Sequence, residues 1–403
     1  MKHLKFYLLL LPILFSAQKI SGVQLFNPQT NDETPVIKFG EQLILNFDDL
    51  NNSSTVYKYT IKHLDRNWQD DGLFFTEFAK GNLNGLIQNY QYSFNTNQRY
   101  THYTLNFPND KMQPKISGNY ELIVFLDSAS KPLFKKRFCV VEDGASVGVS
   151  ISRFADSKRP DINQRVEVAA VSNQADVLAN INSISLNVIQ NNNFNMGVFN
   201  VKTNSVMGNK ILFQQLNLVF PGNNEFYYFD NKIIDQPFDA VASVLNNQEG
   251  NHTYLHSVWA YPLNYQYQPD VNGAFYFRRN DLGIERNADT EGDYSWVYFS
   301  VDSEKIDKEL FVLGAFNDFN PSVENKMIYD ENTKKYIAKI YLKQGFYNYI
   351  IATKDSSGNL NFGEINGSFW QTENLYQAFI YYQAFGKNYD GLVGYGEYRR
   401  ALR

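Results

Sequence analysis

In "QRYTHYTLNFPND", residues 98–110, a histidine stands between two phenols: Tyr100, His102 and Tyr103 fall within four positions. An imidazole placed there could exchange a proton near neutral pH. A catalytic base also needs an acid or nucleophile within reach, and the flanking Thr and Asn side chains supply neither. In an extended segment Tyr100, His102 and Thr104 share one face, and Thr101, Tyr103, Leu105 and Phe107 the other. The second set is the more apolar and reads as the core face. His102 then points outward, or into a groove beside Tyr100.

Other candidate chemistry is equally thin. His252 and His256 in "NHTYLHSVWAY" have the spacing of a helical zinc pair, but the Glu of H-E-x-x-H is missing. The Thr, Tyr, Val and Trp of that window read instead as a strand leading to Trp259. Asp48-Asp49 and Asp70-Asp71 are expected in turns, where acids are solvated, whereas glycosidase carboxylates face one another across a cleft. There is no G-x-S-x-G, P-loop, G-x-G-x-x-G or Cys/His cluster. The expectation is a protein that is not an enzyme, with no catalytic residue, no cofactor and no metal.

The elements that would position these residues are strands. Aromatic residues make up 16% of the 403 positions, with 28 Tyr and 32 Phe, and such rings suit pleated, half-buried surfaces. Asparagine is abundant as well, in stretches such as "NNNFNMGVFN", which suits turns built on left-handed residues. Leu43, Leu45 and Phe47 alternate in "KFGEQLILNFDD", and "SGNYELIVFLDSASKPLFKKRFCVVEDG" reads as a hairpin of two strands about a turn at 127–132. Short runs at roughly ten-residue spacing, without helical periods, predict an all-β chain of tandem immunoglobulin-like β-sandwich domains.

"MKHLKFYLLLLPILFSAQK" has a basic start, an apolar run and a small-residue exit, and reads as a signal peptide over residues 1–17. Its apolar run is too short for a membrane span. We therefore expect an exported, periplasmic protein without a direct membrane span. Cys139 is the single cysteine, which rules out an intramolecular disulfide and reads as a small buried apolar residue. The net charge of −5 and the lack of a Lys/Arg stripe argue against nucleic acid. "EDGASVG" at 142–148 and "YQYQPDVNG" at 265–273 look like linkers, giving domains at 18–145, 146–269 and 270–403.

Two resemblances extend this reading. "ELFVLGAFNDFNPSVENKMIYDENTKKYIAKIYLKQGFYNYIIATKD", 309–355, is similar to early-set immunoglobulin-like modules that bind starch or glycogen, through Gly314, Phe316, Asn317, Met327, Leu342, Gly345, Tyr347 and Tyr349. Phe319 and Tyr336 stand where those modules carry stacking tryptophans, which implies at most a vestigial sugar site. Over the whole chain beyond the leader, the order of motifs resembles the plug family of the Bacteroidetes type IX secretion system. The strongest match is Trp68, Tyr90, Ser93, Asn95, Thr96, Tyr100, Thr101, His102, Tyr103, Phe107 and Pro108. Glu373-Asn374, Tyr381-Tyr382, Tyr389-Asp390, Leu392 and Gly394 add a second.

The resemblance implies a non-enzymatic subunit at the periplasmic face of the outer membrane. It would close the mouth of the translocon barrel when no cargo is passing. Trp68, Tyr100 and His102 are then candidate partner contacts, with core filling as the competing reading for Trp68 and Tyr90. A carbohydrate-binding protein using the C-terminal sandwich is the alternative function.

Overall fold

The computed structural model describes residues 20–29, 35–154, 161–214 and 218–399. The leader read at 1–17 lies outside them. The first unit is a sandwich of two sheets. One orders its strands Ile20–Phe26, Leu43–Asp49, Thr101–Phe107 and Tyr90–Tyr92; the other Val36–Lys38, Phe134–Val141, Gly118–Phe125, Tyr57–Leu64 and Gly85–Ile87. Period-two alternation drives their inner faces together, so Leu43, Leu45 and Phe47 meet Tyr57, Tyr120 and Phe138 in one core. Tyr103 stacks on Phe47 at 5.0 Å between ring centres, on the core face that the alternation predicts. The predicted hairpin is present, with Gly118–Phe125 antiparallel to Phe134–Val141.

The middle unit is an eight-stranded sheet that curls until its outer strands, Ser146–Phe154 and Gly391–Arg399, lie against each other. Gly396 permits that approach, because a Cβ there would sit 2.6 Å from the Val147 carbonyl oxygen. The third unit is an eleven-stranded sheet around a core that joins Val297 and Phe299 to Tyr347 and Ile351. Not every pair is antiparallel: Gly250–Leu255 runs parallel to Tyr294–Asp302.

The all-β tandem sandwich architecture is as expected, but the sheets divide the chain differently from 146–269 and 270–403. Tyr227–Asp230, Val241–Asn247 and Gly250–Leu255 belong to the third sheet. The chain then returns, and Leu375–Tyr382 pairs with Ile184–Gln190 from Ile184↔Tyr382 to Gln190↔Tyr376, inside the middle sheet. The third unit is thus inserted into the middle one, and the 265–273 stretch is a loop rather than a boundary.

Among the described residues, nine of the fourteen non-glycine residues with left-handed backbone are Asn or Asp, the turn role expected of the asparagines. No helix among the described residues is long and apolar enough to cross a membrane.

Candidate functional site

His102 is the natural starting point, and its surroundings correct the expectation of a surface contact. Its strand, Thr101–Phe107, is covered on both faces: by the first core on one side and by the third sandwich on the other. His102 is 5% exposed and Tyr100 fully buried. Nδ1 of His102 lies 2.7 Å from Oδ1 of Asp48 on the adjacent strand, where the two residues are register partners. The other carboxylate oxygen, Oδ2, accepts from Lys343 Nζ at 2.7 Å and from the Tyr294 hydroxyl at 2.7 Å, both on the third sandwich. Lys343 also donates to the Asp289 carbonyl at 3.0 Å and lies 4.3 Å from the Tyr100 ring centre, a cation–π contact.

The electrostatics follow from burial and pairing. Burial favours the neutral acid, yet Lys343, together with the charge and hydrogen bond of His102, holds the Asp48 carboxyl below its usual value. Burial, then the Asp48 charge, pushes the Tyr294 phenol well above its usual range. The hydroxyl of Tyr100 donates to the Gly292 carbonyl at 2.8 Å. Beside it, the Asp293 carboxylate accepts the backbone N–H groups of Asn97 at 2.7 Å and Gln98 at 3.1 Å. A base must reach a substrate, and this cluster is enclosed on every side by two sandwiches. Its chemistry is that of an ionic seam.

A second seam joins the first and middle sandwiches. The Asp65 carboxylate accepts the N–H groups of Asn67 and Gln69, both at 2.8 Å, and so folds "DRNW" into a tight turn. The turn places Arg66 against Asp390 and Ser185, with its backbone N–H 3.1 Å from Asp390 Oδ2 and its guanidinium 3.0 Å from Ser185 Oγ. Trp68 packs with Leu64, Cys139, Ile189, Phe379 and Leu392 in an interface core. At 7% exposure it is no surface anchor, and of the two readings of Trp68 the structure selects filling. Tyr90 is the reverse: it is 38% exposed on an edge strand. Cys139 is buried as expected, and burial raises its thiol far above the ordinary value.

A third seam, between the middle and third sandwiches, is built of amides and acids. Asn195 of the middle sheet donates to the Phe319 carbonyl at 3.0 Å, and Asn272 accepts the Leu375 N–H at 3.2 Å. Close by, Tyr265 donates to Glu225 Oε1 at 2.5 Å, and Glu225 Oε2 has no partner among the described residues. Burial pushes the Glu225 carboxyl up to about 7 and that of Asp270 up to about 6.

The sugar-site residues are also enclosed. Phe319 is 2% exposed against Phe226, Phe311 and Leu313, and Tyr336 is 4% exposed with its hydroxyl 3.2 Å from the Ile306 carbonyl, which accepts its proton. Neither forms a stacking platform. Phe319 and Trp68 do meet at one place, a cavity of about 360 Å³ where all three sandwiches converge. His252 sits in a strand with Nδ1 2.9 Å from the Tyr298 hydroxyl, and no metal-ligand group occurs among the described residues.

Lys343, Tyr294 and Arg66 were not singled out from the sequence, and Asp48 was expected to be solvated. The expected turn at Asp48-Asp49 is the end of strand Leu43–Asp49, and both acids are buried. The available signal was their position: they continue the alternation "LILNFDD" without a turn residue between.

Comparison with known proteins agrees with this architecture. Residues 20–142, the first sandwich, match the family described as Type 9 secretion system plug protein 1st domain. A crystal structure of a hypothetical protein from Parabacteroides merdae is similar over nearly the full length. The identity is 27% and the TM-score 0.90, with 95% of this chain and 98% of that one covered. No curated protein matches.

Proposed function

We propose that this chain, a plug-like protein associated with type IX secretion through its first domain, is a non-enzymatic subunit that closes the periplasmic opening of the outer-membrane translocon barrel when cargo is absent. A stopper has to be bulky and stiff, and it has to leave. The observation that carries the reading is the ionic seam. The groups best suited to chemistry, Asp48, His102 and Lys343, are buried between sandwiches and hold the first against the third. Together with the Arg66–Asp390 contact and the Asn195–Phe319 hydrogen bond, they fasten three sandwiches into one body.

Reversible docking needs exposed, adaptable side chains at a rim. Gly85–Ile87 and Tyr90–Tyr92 are the free edges of the two sheets on one side of the first sandwich. They and the adjoining loop expose Leu86, Tyr92 and Phe94. A tagged copy expressed in its native host should co-purify with a very large outer-membrane barrel when secretion is idle. Deleting the gene should let small periplasmic solutes escape. A tagged copy that remains free in the periplasm, with secretion both active and blocked, overturns the reading.

A further inference from the structure

The cavity of about 360 Å³ at the three-way junction falls in the size range of small-molecule sites. All three sandwiches contribute to its wall: Trp68 and Arg137 from the first, Phe194 and Phe379 from the middle, Phe275 and Phe319 from the third. Its backbone is unusual. Of the fourteen described non-glycine residues in left-handed conformation, four line this space: Trp68, Asn192, Asp318 and Phe319. Two of them are large aromatic residues, for which that conformation is a true outlier. Strain of this kind persists where the surroundings fix it, and it clusters at binding sites.

The charges in the wall are unevenly matched. Lys135 pairs with Glu121 at 2.9 Å, and Lys136 pairs with Asp318 at 2.5 Å, across the junction of the first and third sandwiches. Arg137 is left over. Its guanidinium lies 4.9 Å from the Trp68 ring centre and 4.6 Å from that of Phe194, held between two aromatic faces. Among the described residues no carboxylate forms an ion pair with it. Glu121, its register partner across the strands, is already taken by Lys135. Burial presses its pKa down, while the more distant Glu121 and Asp318 charges pull it up. A guanidinium fork with free donors suits a carboxylate, which it can bind through two parallel hydrogen bonds.

We infer that this cavity binds a carboxylate carried beside an apolar or aromatic group, the carboxylate on Arg137 and the apolar part among Trp68, Phe194 and Phe319. The proposal is independent of the plugging role. A chain end of a peptide and a small free aromatic acid share this chemistry.

The test uses the full mature chain and isothermal titration at neutral pH, with N-acetylphenylalanine and its neutral amide as probes. The acid should bind saturably at one site, and the amide weaker by about tenfold or more. Arg137→Gln should abolish the difference. The wild-type comparison of acid with amide stands even if that variant fails to fold. A Gly-Gly-Phe peptide with a free carboxylate separates the sources: binding at least as tight as the small acid assigns a chain end, and weaker binding assigns a free acid. Equal affinity for acid and amide, no binding of the acid up to its solubility limit, or saturable binding of maltotriose in its place would each overturn the proposal.

Discussion

Lys343 Nζ stands 2.7 Å from Asp48 Oδ2, across 295 residues of sequence and with both side chains withdrawn from solvent. Such a pair holds position more than it adds stability, because desolvation offsets most of the attraction. Breaking it is another matter. Lys343→Met removes the cation facing Oδ2 and leaves the buried Asp48 carboxylate with only His102 and Tyr294 as partners, and we expect a loss of about 3–5 kcal/mol in denaturant unfolding. Adding Asp48→Asn to that variant should recover at least half of the loss. A double variant as unstable as the single one would show that the seam is held by something other than this charge pair.

Glu225 gives stability a pH slope of the less common sign. Its folded-state pKa is raised from 4.5 to about 7, so the native state binds its proton more tightly than the unfolded chain does. The penalty for ionising it is absent below about 4.5, grows as pH rises, and is complete above about 7. Asp270, raised from 3.8 to about 6, adds the same sense of slope slightly lower on the scale. The melting temperature should therefore fall between pH 5 and 7, with a swing on the order of 2 kcal/mol from Glu225. Glu225→Gln should flatten that part of the profile. Asp48 works in the opposite direction at lower pH: its carboxyl is held below 3.8, so its contribution is present above 3.8 and is lost as pH falls below that value.

Local pattern was legible in the sequence wherever alternation or composition marked residues for a strand's own core. Leu43, Leu45 and Phe47, the hairpin at 118–141 and the buried Cys139 all follow from alternation and composition. What alternation cannot show is a second layer. His102 faces away from its own core, as its spacing implies, but the third sandwich covers that face with Lys343 and Tyr294. A polar residue pointing outward from one domain and into another looks the same in sequence as a solvated one. The return of Leu375–Tyr382 to the middle sheet is hidden for a related reason. An apolar strand carries no label of its partner, and the 265–273 loop has the Pro and Gly of a linker. Phe319 could be matched to a stacking position by motif, but its left-handed backbone turns the ring inward.

Cys139 offers a clean probe of the seam between the first and middle sandwiches. Its thiol is buried among Trp68, Ile189 and Leu392, and burial keeps it protonated at ordinary pH. Ellman's reagent at pH 8 should leave the native protein unmodified and label it fully in denaturant. Leu392→Ala opens the same core and should cost about 2–5 kcal/mol. If the seam opens independently of the cores, labelling in this variant will outpace global unfolding. Rapid labelling of the native wild type would mean that the two sandwiches separate readily, contrary to a stiff stopper.

The free edges of the first sandwich separate docking from stability. Tyr92 is 51% exposed and Leu86 51% exposed, on strands that end their sheets. Exposed substitutions away from caps and ion pairs usually change stability by no more than about 0.5 kcal/mol. Leu86→Lys with Tyr92→Lys should therefore leave the melting curve nearly unchanged. The same pair places two charges on the apolar rim, where desolvating them on contact is costly. Co-purification with the outer-membrane barrel should drop by about tenfold or more, equivalent to at least about 1.4 kcal/mol of docking energy. Recovery of the barrel at wild-type levels would move the docking surface elsewhere on the molecule. The next face to test would be the short strand Val258–Trp259 of the third sandwich and the loop after it, which expose Trp259 and Leu263.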